Sequence, residues 1–160
     1  MRLLLALLIL CLASSASARD LLVPDHVLTP GVATSLSRKV VCETKWSADR
    51  RHVTEKMRRE VFARYGLSGN DDASCVADRH GRRCEIDHLI SRELGGADVI
   101  ENLWPQPYGS RPWNAIMKDR LENRLHREVC SGRILLRDAQ RGIAADDWRV
   151  LYRQYFGRVE

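Results

Sequence analysis

Residues 84–104 read CEIDHLISRELGGADVIENLW, and this stretch decides the fold. It opens with a run rich in β-forming residues from Cys84 to Ile90, which predicts a strand. Gly95 and Gly96 mark the turn that follows. A second strand is predicted over residues 99–104, so that the two strands would form a small hairpin.

Helical patterns lie on both sides of this hairpin. Upstream, Thr54 is a suitable cap for a helix that runs to Tyr65 and stops at Gly66. Downstream, apolar residues recur every four positions between Pro112 and Gly132, which predicts the longest helix. Two shorter helices are predicted after it, one over residues 136–143 and one capped by Asp146 or Asp147. The predicted fold class is therefore α+β and mostly helical.

The first residues, MRLLLALLILCLASSASARD, have the pattern of a secretory signal peptide. Arg2 supplies the positive start, an apolar run follows, and the small residues Ala16-Ser17-Ala18 predict cleavage after Ala18. The apolar run is shorter than the roughly 20 residues that span a bilayer, so an uncleaved anchor is the weaker alternative. We predict a signal peptide at 1–18, an N-terminal arm at 19–47 and one domain at 48–160, with export to the periplasm or the extracellular space and no membrane segment in the mature form.

Four cysteines remain after the predicted cleavage, and export favours disulfides between them. Four cysteines allow three pairings. Cys75 and Cys84 flank a polar stretch that contains a glycine and can close it as a local loop, which leaves Cys42 to pair with Cys130. A four-cysteine zinc site is the alternative, but the chain has no C-x-x-C pair.

Charge and motif content narrow the function only a little. The formal net charge of +5 fits a polyanionic partner, although a basic excess alone is weak evidence. The sequence has no P-loop, no G-x-S-x-G and no H-E-x-x-H pattern, which argues against the enzyme classes that depend on them.

One constellation suits phosphodiester hydrolysis. Asp87 and His88 end the first predicted strand, Asn102 lies across the Gly-Gly loop, and Asn114 and Lys118 lie on the helix that follows. This reaction needs a base that activates water, a cation that takes up negative charge, and a group that orients the base. A neutral histidine is suited to the first task, and a hard divalent cation held by oxygen ligands is suited to the second.

At these residues the chain resembles a known family. EIDHLISRELGGADVIENLWPQPY at 85–108 and WNAIMKDRLENRLHREVCSG at 113–132 resemble bacterial HNH-type nuclease domains of the His-Me finger, or ββα-metal, superfamily. AQRGIAADDWRVLYRQY at 139–155 resembles the tail of a small exported group in that superfamily. The resemblance covers roughly residues 42–156 and implies a ββα-metal core with flanking helices, so that residues 48–160 would be an HNH-like nuclease domain.

The resemblance also implies roles for individual residues. His88 would be the general base, Asp87 would bind the metal, and Asn102 would brace the loop and help to orient His88. The helix would add a second metal ligand and a phosphate contact. The candidates are Asn114, Asp119 and Glu122 for the metal and Lys118 for the phosphate. An ordinary solvated helix face, shared with neighbouring arginines, is the alternative for Lys118, Asp119 and Glu122.

The expected function is that of an exported, metal-dependent endonuclease. The expected cation is Mg²⁺, with Mn²⁺, Ni²⁺ or Zn²⁺ as alternatives. DNA is the first choice of substrate and RNA the second, with little sequence preference because no separate recognition domain is seen. The protein is expected to act as a monomer, and the sequence points to no particular inhibitor protein. The alternative is an exported HNH-like module that binds nucleic acid or a protein partner without catalysis.

Overall fold

A computed structural model describes residues 20–48 and 51–159. Within these ranges five α-helices accompany one two-stranded antiparallel hairpin, which confirms the predicted α+β, mostly helical fold class. The helices are α1 (Arg38–Glu43), α2 (Glu55–Arg64), α3 (Ala115–Cys130), α4 (Leu136–Ile143) and α5 (Trp148–Phe156). None of the helices in these ranges combines the length and the apolarity that crossing a membrane requires. The predicted signal peptide and its cleavage site after Ala18 lie outside the described residues.

The hairpin is formed by β1 (Cys84–His88) and β2 (Leu103–Pro107), with Asp87 opposite Trp104. The prediction of a second strand at 99–104 was wrong in position, because a short 3-10 turn occupies Ile100–Asn102. The strand continues instead through Pro105 and Pro107. Prolines are tolerated there because β2 has a hydrogen-bonded neighbour on one side only.

The Gly-Gly loop between the strands is tightly built. Gly95 has φ +79°, a conformation that favours glycine, and a Cβ on Gly96 would lie 1.7 Å from the Ile90 carbonyl oxygen. The side chain of Asn102 closes the loop: its Oδ1 accepts from the Ile90 N–H at 3.0 Å, and its Nδ2 donates to the carbonyls of Ile90 and Ala97, each at 3.0 Å. The loop is therefore held at both ends by one buried amide.

The helix that carries most of the candidate residues, α3, begins later than Pro112 suggested. Asn114 is its cap, and the Asn114 Oδ1 accepts from the Met117 N–H at 3.1 Å. The other predicted caps are confirmed, since Thr54 precedes α2 and Asp147 precedes α5. The stop signals for α2 and α3 are confirmed as well.

Helix α1 was not predicted, because residues 19–47 were expected to be an irregular arm or short strands. Ser37 caps it, and contacts with the end of α3 hold it in place. Arg38 donates from Nε to the Val129 carbonyl at 2.8 Å and from Nη2 to the Cys130 carbonyl at 2.7 Å. Both carbonyls lie in the last turn of a helix, where a cation is stabilising.

The described residues form two apolar clusters. The first joins α2 to the strands and includes Val61, Phe62, Ile86 and Trp104. The second joins α3 to α4 and α5; it includes Leu121, Leu125, Ile143, Trp148 and Tyr152. The first cluster thus holds the hairpin and the second holds α3, and Lys118 joins α3 to β1 at the candidate site.

Both predicted disulfides are confirmed, Cys42–Cys130 and Cys75–Cys84. Their sequence separations are 88 and 9 residues. In the chain-entropy model, a loop of the first size stabilises the folded state by about 4–5 kcal/mol and one of the second size by about 2–3 kcal/mol. The long disulfide ties α1 to the end of α3, and the short one closes the loop before β1.

Candidate active site

His88 ends β1 with its imidazole buried and hydrogen-bonded at both nitrogens. The Asp98 Oδ1 lies 2.6 Å from Nε2, and the Arg51 Nη2 lies 3.3 Å from Nδ1. The Asp98 carboxylate is held in turn by the backbone N–H of His52 at 2.8 Å. Asp98 comes from the Gly-Gly loop, and Arg51 and His52 come from the segment before α2.

These partners fix the tautomer of His88. Burial raises the pKa of an aspartate, but the hydrogen bonds from His52 and His88 outweigh it, so the pKa of Asp98 lies below its usual value. An ionised carboxylate only accepts, and a guanidinium only donates. The proton of a neutral His88 therefore lies on Nε2, and Nδ1 keeps its lone pair.

The protonation state of His88 follows from its surroundings. Burial lowers the pKa of the imidazole, and the Asp87 and Asp98 carboxylates, which act in the opposite direction, do not reverse the shift. His88 is thus neutral at pH 7, with a basic nitrogen in a defined direction. These are the properties that a general base requires.

Arg51 covers this basic nitrogen and links it to two carboxylates. Its Nη1 donates to the Glu85 Oε1 at 2.9 Å, and its Nη2 lies 3.6 Å from the Asp87 Oδ1. Its side chain is 43% exposed, whereas His88 is 1% exposed. The guanidinium therefore lies between the buried imidazole and solvent, where it can contact a phosphate.

Lys118 lies behind the site and is fully buried. Its ammonium donates to the Asp87 Oδ2 at 2.8 Å, to the His88 carbonyl at 2.6 Å and to the Glu122 Oε1 at short range. These three acceptors use all three of its N–H groups. In this structure Lys118 anchors α3 to β1, and the predicted phosphate contact would require it to leave these partners.

Asp87, Lys118 and Glu122 form a buried group of three ionisable side chains whose pKa values are shifted differently. Burial raises the pKa of an aspartate and lowers that of a lysine, but the mutual attraction of Asp87 and Lys118 outweighs both effects, so Asp87 is ionised and Lys118 protonated. Burial raises the pKa of Glu122 well above its usual value, against the opposing effect of Lys118. The pKa values of the two carboxyls thus move in opposite directions: Lys118 favours the ionised form of Asp87, whereas burial favours the protonated form of Glu122.

Carboxylates also gather on the outer side of Lys118. Burial raises the pKa of Asp119 to about 7, and the negative charges of Asp87 and Glu85 add to the effect. The Tyr108 hydroxyl donates to the Glu85 Oε2 at short range. The site thus offers the partly exposed Glu85 and Asp119 and the buried Asp87 as oxygen donors, and this donor chemistry suits a hard divalent cation.

The two asparagines predicted for the site have structural contacts. Asn102 braces the loop, and the hydrogen bonds to the His88 ring come from Asp98 and Arg51. Asn114 has both of its amide groups engaged, because Oδ1 caps α3 and Nδ2 donates to the Ser110 carbonyl at 3.1 Å. Of the three metal candidates on the helix, Asp119 is the one with a partly exposed carboxylate.

Ligand atoms gather most closely at a different place. Among the described residues, the one group of three or more His, Cys, Asp or Glu ligand atoms within 4.8 Å of one another is Cys42, His126 and Cys130. Two of its members are joined in a disulfide, so the group is not a metal site in the oxidised chain. The carboxylates of the candidate active site would have to draw closer together to share one ion.

Sequence reasoning missed Glu85, Asp98 and Arg51. Glu85 had a signal, because residues two apart on a strand point to the same face as each other, and Asp87 was already a candidate. Asp98 had a weaker one, as the acidic residue of the loop that folds back over His88. Arg51 had none, since it lies 37 residues before His88 and only the fold brings the two together.

Comparisons with protein-family models, with curated proteins and with solved structures find no match for this chain. The resemblance of its motifs to HNH-type nucleases therefore stays a prediction, and the candidate function depends on the site.

Proposed function

We propose that the chain is an exported, metal-dependent endonuclease that hydrolyses phosphodiester bonds in DNA, or in RNA, with little sequence specificity. The observation that carries the proposal is the Asp98–His88 pair, which leaves Nδ1 as the acceptor nitrogen beside Arg51. The resemblance of residues 85–132 to HNH nucleases supports the same assignment.

In this proposal Arg51 first leaves Nδ1 and turns toward the phosphate of the bound strand. Nδ1 of His88 then accepts a proton from water as the water oxygen attacks phosphorus and the bond to the leaving oxygen breaks. The imidazolium that forms is stabilised by the Asp98 carboxylate at Nε2. Asp87 and Asp119, with Glu85, would hold a divalent cation. When bound, the cation would offset negative charge on the phosphate and on the leaving oxygen.

Metal dependence is tested by nicking of supercoiled plasmid. We expect cleavage with Mg²⁺ or Mn²⁺, its loss with excess chelator, and its return when the metal is restored. Asp119→Asn should raise the metal concentration that gives half-maximal rate by roughly tenfold or more, as loss of one carboxylate ligand removes a charged contact. Asp138→Asn, on the exposed side of α4, is the matched control and should behave as wild type.

Two outcomes would contradict this proposal. Cleavage that continues in chelator would exclude metal dependence. No cleavage with Mg²⁺, Mn²⁺, Ni²⁺ or Zn²⁺ would favour the alternative, a catalytically inactive binding module. The observation in favour of that alternative is Lys118, whose ammonium already supplies a positive charge to Asp87 and Glu122.

Export is part of the proposal. The predicted leader has the three parts of a signal peptide, and two disulfides fit an oxidising compartment. N-terminal sequencing of the protein from the periplasm or the medium should begin at Arg19. Recovery of the chain with Met1 intact in the membrane fraction would contradict export.

A further inference from the structure

A basic groove lies beside the candidate active site. It has a volume of about 210 Å³ and is lined by the turn before β1, the residues after β2 and the start of α3. Three arginines face it, Arg79, Arg82 and Arg111, together with the ring of Tyr108 and the exposed side chain of Ile116. Mixed arginine, aromatic and aliphatic linings are suited to the sugar-phosphate backbone of a nucleic acid strand.

The turn that carries Arg79 and Arg82 is held in shape. The Asp78 Oδ1 accepts from the backbone N–H groups of His80 and Arg82, each at 2.9 Å, and its Oδ2 accepts from the Arg82 Nε at 2.9 Å. The Cys75–Cys84 disulfide closes the segment around this turn. A fixed turn presents its arginines with little ordering cost on binding.

The arginines of the groove are not equivalent. Arg82 pairs with Asp78 and lies 4.2 Å over the Tyr108 ring, so its charge is already paired and its side chain forms part of the groove lining. Within the described ranges, neither Arg79 nor Arg111 has a carboxylate at ion-pair distance. Both are exposed, and their positive charge is therefore available to a phosphate.

The groove is connected to the candidate active site through Tyr108, one of its lining residues. The Tyr108 hydroxyl donates to Glu85. Glu85 also accepts from Arg51, whose guanidinium lies beside Nδ1 of His88. Ile116 lies about one helical turn before Asp119 on α3. A strand whose phosphate meets Arg51 would therefore have a neighbouring stretch of backbone at the groove.

We propose that this groove binds backbone phosphates of the polynucleotide substrate next to the bond that is cleaved, with Arg79 and Arg111 as the phosphate contacts. The inference rests on the proposed function and adds its substrate-binding surface. If it is correct, substitutions in the groove lower the cleavage rate of a polynucleotide but not that of a diester too small to reach the groove.

The test compares two double variants that each remove two positive charges. The groove variant combines Arg79→Gln and Arg111→Gln, and the other combines Arg59→Gln and Arg137→Gln. The second pair lies outside the groove and is the control. Each is assayed on a single-stranded oligonucleotide and on bis(4-nitrophenyl) phosphate. We expect the groove variant to lose about tenfold or more in kcat/KM on the oligonucleotide and to keep the wild-type rate on the small diester.

Binding is measured separately, by fluorescence anisotropy of a labelled oligonucleotide with His88→Ala as the background. The groove substitutions should make the log-log salt slope shallower by about 0.7 for each lost contact with a single strand. Unchanged affinity and slope would overturn the inference. So would equal losses on both substrates in a folded protein, because the groove would then serve the chemistry and not the strand.

Failure of the inference is distinguishable from failure of the proposed function. If the wild type cleaves neither substrate, the nuclease proposal fails, and the anisotropy measurement still decides whether Arg79 and Arg111 contact a strand. If the wild type cleaves and the groove variant is indistinguishable from the control, the groove fails alone. A salt-independent affinity would contradict phosphate contacts and would favour a protein partner.

Discussion

Replacing His88 with alanine should lower the rate of plasmid cleavage by about 10²–10⁴, since loss of a general base typically has an effect of this size. The variant keeps the carboxylates and Arg51, so binding of the strand should change little. Because His88 is 1% exposed, its loss also removes a buried hydrogen bond to Asp98 and should destabilise the fold by about 1–3 kcal/mol. Rates are therefore compared at a temperature where circular dichroism shows both proteins folded, with exposed His52→Ala as the matched control.

A second variant separates chemistry from folding. Asp98→Asn keeps the shape of the side chain, but its amide can donate to Nε2 and thereby move the proton of His88 to Nδ1. The rate should then fall, because the wrong nitrogen carries the proton. Loss of the carboxylate should also lower the pKa of His88 further and move the acidic limb of the pH–rate profile to lower pH. Wild-type cleavage by His88→Ala would refute the assignment of the base.

The sequence predicted the local part of this site well. Asp87 and His88 lie at the end of a strand because Cys84–His88 is a short run with β-forming character, and the glycine pair after it forms the loop that was expected. The spacing of apolar residues predicted α3, which is why Lys118, Asp119 and Glu122 were candidates together. Both disulfides followed from the positions of the cysteines.

The missed contacts have a common physical cause. Arg51 reaches the base through packing of the segment before α2 against the hairpin, and nothing in its own sequence neighbourhood records that contact. The register of β2 was misplaced because the pattern of Val99 to Trp104 fits a strand. The side chain of Asn102, which binds backbone groups of the loop, holds that stretch in another conformation.

The charge state within the buried group was also beyond the sequence. The spacing of Lys118 and Glu122 on a helix predicts an ordinary ion pair. Burial changes the outcome, because Lys118 is shared among Asp87, the His88 carbonyl and Glu122 in a place that water does not reach. Which carboxyl keeps its proton depends on that environment and not on the spacing.

Lys118→Met should therefore destabilise the protein strongly, by about 3–5 kcal/mol, because it removes the ammonium from the buried, ionised Asp87 and leaves that carboxylate with Arg51 at 3.6 Å. Glu122→Gln is the matched variant from the same group. An amide replaces a protonated carboxyl of similar shape and cannot ionise in the unfolded chain, so it should leave the stability at pH 7 at or above that of wild type. Urea unfolding of the three proteins at pH 7 measures both effects. Equal losses for the two substitutions would mean that Glu122 is ionised and that Lys118 is paired with two charges.

The pH dependence of unfolding provides the second test. The raised pKa of Glu122 means that the folded state holds a proton that the unfolded state releases above its ordinary pKa of about 4.5. The stability contributed by Glu122 is therefore fully present below that pH and is lost as the pH rises through the folded-state value. The Glu122→Gln side chain has no such proton to release. The free energy of unfolding of this variant, relative to wild type, should therefore increase between about pH 5 and pH 9, a range that spans the pKa values found for buried carboxyls. A constant difference across that range would show that Glu122 does not hold a proton in the folded chain, and Glu122 would then remain available as an ionised ligand for a cation.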